Sequence, residues 1–394
     1  MLLYINGMLP IVLIPGFSGS ILTRKSQPTK RVLHKDVIDN VWLNVQPFST
    51  ARMRRWKKDM YYTIRRDEYG VIQGFKDYDS DIQPYEIGGT RGVRNLVPEF
   101  ELLHSGYQQN LDSLFHYKYF NALCEHLEGY GWRENYNLYG FPYDFRLILD
   151  PKVRLSTYNH LTTILKKAKM RTGKKSVVVA HSLGGLLMLW YLVEHCRSDW
   201  VKEHIHSIIS VNVPYGGSPF TLKVCTSGSY FIPMYQDTFK EELMRNSGII
   251  MCFPNHYGFG IKDPLYEVDN GLAITMEEYR RVSLLPFELW TRYIPDMLNL
   301  IHLRSKEFQI PVYGFIGKNK ETDGRYKSKG LEQTPYETIN VLGDGVVPSS
   351  SLESIIDIYS KVEISSEPFM LHADILKEPW FHNAVHMLAI DTKI

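Results

Sequence analysis

Short runs of apolar residues punctuate the chain, and segments of helical period lie between them. Residues 10–15, PIVLIP, close on Gly16 and read as a buried strand. SVVVA (176–180), HSIISVNV (206–213) and IPVYGFIG (310–317) read the same way, and residues 136–141 are a weaker strand candidate. Residues 115–129 have helical character. In 154–172, Leu155, Tyr158, Leu161, Leu165 and Ala168 recur at spacings of three and four, basic residues gather at the far end, and Gly173 supplies a stop. Residues 183–196 read as a further helix. Strands alternating with helices predict a mostly parallel sheet covered on both faces. Two stretches break this rhythm. Residues 24–70 are polar, basic and aromatic without clean periodicity, which predicts an elaborated loop region. Residues 214–306 mix prolines with scattered aromatics and read as an inserted cap.

Composition narrows the class. The 394 residues are 44% apolar and 22% charged, enough to bury a large core and unlike a disordered or fibrous chain. The longest apolar run, 183–193, spans eleven residues, against about 20 for a membrane helix. Four cysteines at 124, 196, 225 and 252 match neither a disulfide scaffold nor a CxxC zinc site, so neither metal nor cofactor is expected. The first residues run almost directly into the strand at 10–15, and the chain has no N-x-S/T sequon. Both features predict a cytoplasmic protein without a secretory leader.

The sharpest local feature is SVVVAHSLGGLLMLWYLVEHC. A strand runs into Ala180-His181-Ser182-Leu183-Gly184, and a helix follows. That order builds a nucleophile elbow, in which a tight turn thrusts the serine out of the sheet and small neighbours avoid collision. Ala180 stands where glycine is usual. A serine hydroxyl needs a base, and the base needs an orienting carboxylate. In this architecture they follow the nucleophile in the order carboxylate, then histidine. Asp344 lies in a glycine-flanked turn after an apolar run. His372 lies in a turn-like stretch, whereas His382 and His386 share a helix face and read as packing residues. The oxyanion hole needs two backbone amides. Leu183, directly after the nucleophile, supplies one. Phe17, in the sharp turn after the first strand, supplies the other.

These residues resemble the lecithin:cholesterol acyltransferase family. PIVLIPGFSGSIL is similar to its amino-terminal signature, VWLNV (41–45) to its W-L-x-L segment, and LYGFPYDFRL (138–147) to its G-x-P-Y-D-W-R run. AHSLGG matches the elbow, VPYGGSP (213–219) the A-P-W-G-G-S segment, GDGVVP (343–348) the aspartate turn and HADIL (372–376) the histidine motif. The resemblance implies an α/β-hydrolase fold, with Ser182, Asp344 and His372 at the triad positions and Phe17 at the oxyanion position. It also implies a membrane-binding lobe, mapped to about 30–70, and a cap at about 84–115 and 214–306, with its lid near 216–250. Phe145 stands where the family has tryptophan, and the cysteine pair of the secreted members' lobe is missing. Asp144 and Arg146, two apart on an expected strand, should form a structural charge pair.

Charge is unevenly spread. The net value is +2, but residues 24–66 carry twelve Lys/Arg and three Asp/Glu, a net of +9. Within them Arg52, Arg54, Arg55, Lys57 and Lys58 surround Trp56, and Trp42 lies upstream. Cations beside tryptophan suit the headgroup zone of an anionic membrane. A nucleic-acid role would call for a recognisable module, and none is visible. The expectation is therefore a serine acyl hydrolase on glycerophospholipids, working at an interface. An acyltransferase that passes the acyl group to a sterol or diacylglycerol is the alternative.

Overall fold

Alternation along the strands decides which side of the sheet each residue serves. The structure, a computed structural model, describes residues 7–25, 38–42, 54, 57–77, 82–95, 118–228 and 236–391. Its central sheet is built from β1 (Ile11–Ile14), β2 (Leu138–Gly140), β3 (Ser176–His181), β4 (Ile205–Val211), β5 (Val312–Lys318) and β6 (Val362–Pro368). Their order is β6-β5-β4-β3-β1-β2, and every neighbouring pair is parallel. Val12, Ile14, Val178, Ala180 and Ile208 face one core. Ile11, Leu13, Val177, Val179, Ile209 and Val211 face the other.

Helices cover both faces. The first core takes α2 (Pro151–Thr172), α3 (Leu183–Trp190) and α5 (Leu285–Arg304), and the second takes α1 (Asn121–Gly129) and α6 (Pro379–Leu388). The chain passes from β1 to the sheet edge at β2, then returns to β3 and proceeds the other way. The crevice between the carboxyl ends of β1 and β3 is therefore a topological switch point, where such sheets place their ligands. This is an α/β-hydrolase fold.

Local signals account for the elements. The Asp150 side chain accepts the amides of Lys152 and Val153, Pro151 opens α2, and Gly173 closes it at φ 70°. The buried stripe of α2 is Arg154, Thr157, Tyr158, Leu161, Ile164, Leu165 and Ala168. Leu155 is 52% exposed, so the expected stripe was one position out at its start. The helix expected over 183–196 ends its regular part at Trp190 and finishes in a wider turn over Tyr191–His195.

The loop expected over 24–70 is corrected for its described part, and the stretch expected as a cap holds regular elements. Within 24–70, Leu22–Lys25 pairs with both Ile38–Trp42 and Ile82–Pro84, and Tyr62–Arg66 forms a hairpin with Ile72–Asp77. The described residues of this region hold these strands and a helical turn at 57–60. The strands are short and polar on their outer faces, so alternation is weak. The 214–306 stretch holds α4 (Pro219–Ser227) and helices over Gln236–Arg245 and Ser247–Met251. Its strand Tyr266–Val268 joins a second sheet by pairing with Lys320–Ser328. The inserted elements are thus completed by a hairpin, Lys320–Ser328 with Glu337–Gly343, that lies after β5 in sequence. Among the described residues no helix is long and apolar enough to cross a membrane.

Candidate active site

Ser182 occupies the turn between β3 and α3 at φ 53° and ψ −128°. A non-glycine residue held there costs about 1–3 kcal/mol, which the surrounding packing must offset. The packing is visible. A Cβ on Gly184 would strike the carbonyls of Ile14 and Pro15, and one on Gly185 would strike Val213. A Cβ on Gly16 would lie 2.8 Å from that of Ser182, so the turn after β1 touches the nucleophile. Ala180 is buried within the sheet, paired to Ile14 and Ser210, and its methyl is accommodated there. Both termini of the turn are pinned, since the Ser182 amide donates to the Val211 carbonyl and its carbonyl accepts from Gly185.

His372 Nε2 lies 2.9 Å from Ser182 Oγ, and His372 Nδ1 lies 2.7 Å from Asp344 Oδ2. Asp344 is fully buried, and its other oxygen accepts the amides of Val346 and Val347 at 2.9 and 2.7 Å. Those two bonds fix the carboxylate plane and leave Oδ2 to accept from Nδ1–H. The proton on Nδ1 in turn leaves Nε2 as the acceptor facing the serine hydroxyl. Asp323, a carboxylate nearby in sequence, is bound to Lys223 and to the Tyr326 hydroxyl. His382 Nε2 bonds the Leu376 carbonyl at 2.8 Å, and His386 packs on Tyr130 with ring centres 4.0 Å apart. Both belong to the α1–α6 contact, away from Ser182.

Leu183 is the first residue of α3, where amides lack partners within the helix. The Phe17 ring meets Phe145 edge-on at 5.1 Å, and the Trp42 ring meets the same Phe145 at 5.6 Å. Trp42 Nε1 donates to the Ser18 carbonyl at 2.8 Å. The half-buried indole thus braces the turn that carries Phe17, and its N–H points inward rather than towards headgroups. Of the other basic-segment residues, Arg54 and Lys58 are exposed and Lys57 is half-buried. Arg52, Arg55 and Trp56 lie outside the described residues.

Residues 57–60 form a helical turn with a buried underside. The Asp59 carboxylate pairs with Arg24, and its carbonyl accepts from Arg146 Nη1. Arg146, 1% exposed, also holds Asp144 through Nε at 2.9 Å and Nη2 at 2.6 Å. The charge pair read from sequence is therefore present, although on a turn rather than a strand. Buried charges persist only when paired in this way.

Two positioning residues escaped the sequence reading. Asn212, fully buried at φ 45°, donates Nδ2 to the His372 carbonyl at 2.8 Å and accepts the Gly317 amide at 2.8 Å. Ser218 donates its hydroxyl to the Val346 carbonyl, in the turn that holds Asp344. The signal for Ser218 was the VPYGGSP segment itself. Asn212 had only its place at a strand end.

Similarity to known proteins follows the same lines. The chain is 27% identical over 224 residues to "Lysosomal phospholipase A and acyltransferase" of Mus musculus, covering 56% of this chain and 50% of that protein. It is 26% identical over 228 residues to "Phosphatidylcholine-sterol acyltransferase" of Oryctolagus cuniculus, covering 57% and 47%. The chain thus spans about half the length of these curated relatives. Among solved structures, the Tle4-Tli4 complex aligns at TM-score 0.49 and 12% identity, over 96% of this chain and 98% of that one. The family model for lecithin:cholesterol acyltransferase matches residues 37–280, which is 244 of 394 positions and includes the elbow at Ser182. The chain belongs to the lecithin:cholesterol acyltransferase family.

Proposed function

We propose that the protein is a serine acyl hydrolase of the phospholipase A type, cleaving fatty-acyl esters of glycerophospholipids through an acyl-enzyme. The observation that carries this reading is the unbroken chain Asp344 Oδ2–His372–Ser182 Oγ, with both links under 3 Å. Ser182 Oγ attacks the ester carbonyl while His372 Nε2 takes its proton. Asp344 stabilises the imidazolium, and the amides of Phe17 and Leu183 receive the oxyanion. His372 then returns the proton to the leaving lysophospholipid oxygen. Water, deprotonated by the same nitrogen, attacks the acyl-enzyme, releasing the fatty acid and restoring Ser182.

An acyltransferase differs only in the last step, where a lipid alcohol replaces water. The names of both relatives include that activity. Vesicles of phosphatidylcholine and phosphatidylglycerol, with and without sterol or diacylglycerol, separate the two. Free fatty acid and lysophospholipid are expected in both mixtures. Accumulation of a sterol ester or triacylglycerol in place of fatty acid would make the protein a transferase. No product in any mixture would remove the phospholipid reading.

We further place the lid near 216–250, the cap over the rest of 214–306 with about 84–115, and the lobe at about 30–70. The enzyme acts as a peripheral protein of the cytoplasm. Four unlinked, buried cysteines support a reducing compartment. Docking rests on Trp42, Arg52, Arg54, Arg55, Trp56, Lys57 and Lys58. Each cation near an anionic surface contributes about 1 kcal/mol at physiological salt. Replacing Arg54, Arg55, Lys57 and Lys58 with Gln should reduce vesicle binding and vesicle turnover at least tenfold. A soluble short-chain ester should be turned over at nearly the wild-type rate. Equal losses on both substrates would show that the segment supports the fold instead.

A further inference from the structure

Three loops must keep register for the proposed chemistry: the turn at Gly16–Phe17, the elbow at Ser182 and the loop of His372. Two buried side chains outside the triad touch all three. Tyr119, just before α1, is 7% exposed, and its hydroxyl accepts the Gly16 amide at 2.9 Å. The same hydroxyl bonds Nδ1 of His181, the residue immediately before the nucleophile. His181, 3% exposed, places Nε2 3.0 Å from the His372 carbonyl oxygen. That oxygen is the one Asn212 also holds.

The ends of this chain dictate the direction of every proton in it. The Gly16 amide can only donate, and the His372 carbonyl can only accept. His181 must therefore carry its proton on Nε2, which leaves Nδ1 as an acceptor. Tyr119 must then donate to Nδ1 while accepting from Gly16. No other arrangement satisfies all four groups, and buried polar groups left unmet are costly. A protonated His181 would force a second donor onto Tyr119 and leave the phenol hydrogen without an acceptor. Burial, then the nearby His372, push the His181 imidazole down to about 3. The neutral form that the chain requires is thus held across the physiological range.

We propose that Tyr119 and His181 are positioning residues for acyl transfer, forming a directed hydrogen-bond relay that holds the oxyanion turn and the His372 loop against the nucleophile elbow. Neither side chain touches the reacting atoms. The relay acts by fixing the Gly16 peptide, next to the Phe17 amide, and the His372 backbone, whose imidazole must reach Ser182. Its ordering is done before substrate arrives, which is where preorganisation gains rate. This inference rests on the serine acyl hydrolase reading, and the test separates the two.

The first measurement is the tautomer of His181 in the wild type, read by nitrogen-15 NMR of histidine-labelled protein between pH 5 and 8. Neutral imidazole with the proton on Nε2 is expected throughout. A proton on Nδ1, or a charged ring at pH 5, overturns the relay whatever the activity. The second measurement is steady-state turnover of p-nitrophenyl butyrate by Tyr119→Phe, His181→Ala and His181→Gln. Glutamine places an amide donor near the Nε2 position and keeps the link to His372. Tyr119→Phe and His181→Ala should lose about 10- to 100-fold in kcat with KM within about twofold, and His181→Gln should recover most of the loss. Wild-type kcat in folded Tyr119→Phe and His181→Ala overturns the proposal. So does a glutamine variant no better than alanine. Fluorophosphonate labelling of the wild type tests the parent reading separately: a label on any residue but Ser182 removes the nucleophile assignment, while the tautomer result judges the relay.

Discussion

Ser182→Ala should abolish turnover, with a loss of very roughly 10⁴–10⁶-fold in kcat, as expected when a triad serine is removed. The magnitude follows from what the hydroxyl does. Its oxygen is the atom that becomes acylated, and no neighbouring hydroxyl lies on the bond path from His372 Nε2, which ends 2.9 Å away on Oγ. Residual rate would come from the oxyanion amides and from substrate binding. Folding should survive, because the Ser182 main chain makes the contacts that shape the elbow, through Val211 and Gly185. Alanine keeps the Cβ of serine and meets the same backbone cost at φ 53°, so the Tm should stay near the wild-type value. A fluorophosphonate should label the wild type at Ser182 and leave the variant untouched. Persistent labelling of the variant would sink the assignment.

Asp344→Asn should keep the fold and cost on the order of 10⁴-fold in rate. The two amides of Val346 and Val347 donate to Oδ1, so the asparagine oxygen is drawn to that side. Its NH₂ group then faces His372, where an acceptor stood. A donor there favours the imidazole with its proton on Nε2, which faces the nucleophile and cannot take its hydrogen. The variant should therefore be slow through the wrong tautomer rather than through misplacement. Its KM for a soluble ester should stay near the wild-type value, and kcat should rise with pH as hydroxide replaces the missing base. Near wild-type kcat would mean that another carboxylate serves His372. His372→Ala should be comparably damaging, whereas His382→Ala and His386→Ala should retain most activity.

Much of this arrangement was legible in the sequence because each triad residue sits in a local pattern with a physical cause. Ser182 is marked by a β-branched strand, a turn of small residues and an apolar helix. Asp344 is marked by glycines that let a chain reverse at a strand end. His372 could be separated from His382 and His386 because helical spacing spoke for packing in the latter pair. What stayed hidden depends on contacts between residues far apart in the chain. Tyr119 meets His181 across 62 positions and Gly16 across 103, and nothing near Tyr119 announces either partner. The bracing contacts of Trp42 stayed hidden for the same reason: Ser18 lies 24 positions away and Phe145 still farther along the chain. The second sheet was missed because its strands come from either side of β5, so no single stretch shows a complete strand pattern.

Asp59 gives the exposed basic turn a mechanical character. A cation on a slack loop attracts a bilayer but leaves the body behind it free to tumble. Here the turn that presents Lys57 and Lys58 is tied underneath to Arg24 and Arg146. Arg146 is two residues from Asp144 and adjacent to Phe145, on which the Phe17 ring leans. A charge attached to the surface through this turn is therefore a handle on a rigid lever. On the docking proposed above, the turn sets the angle at which the whole molecule meets the lipid plane, and with it the direction in which the crevice between β1 and β3 opens.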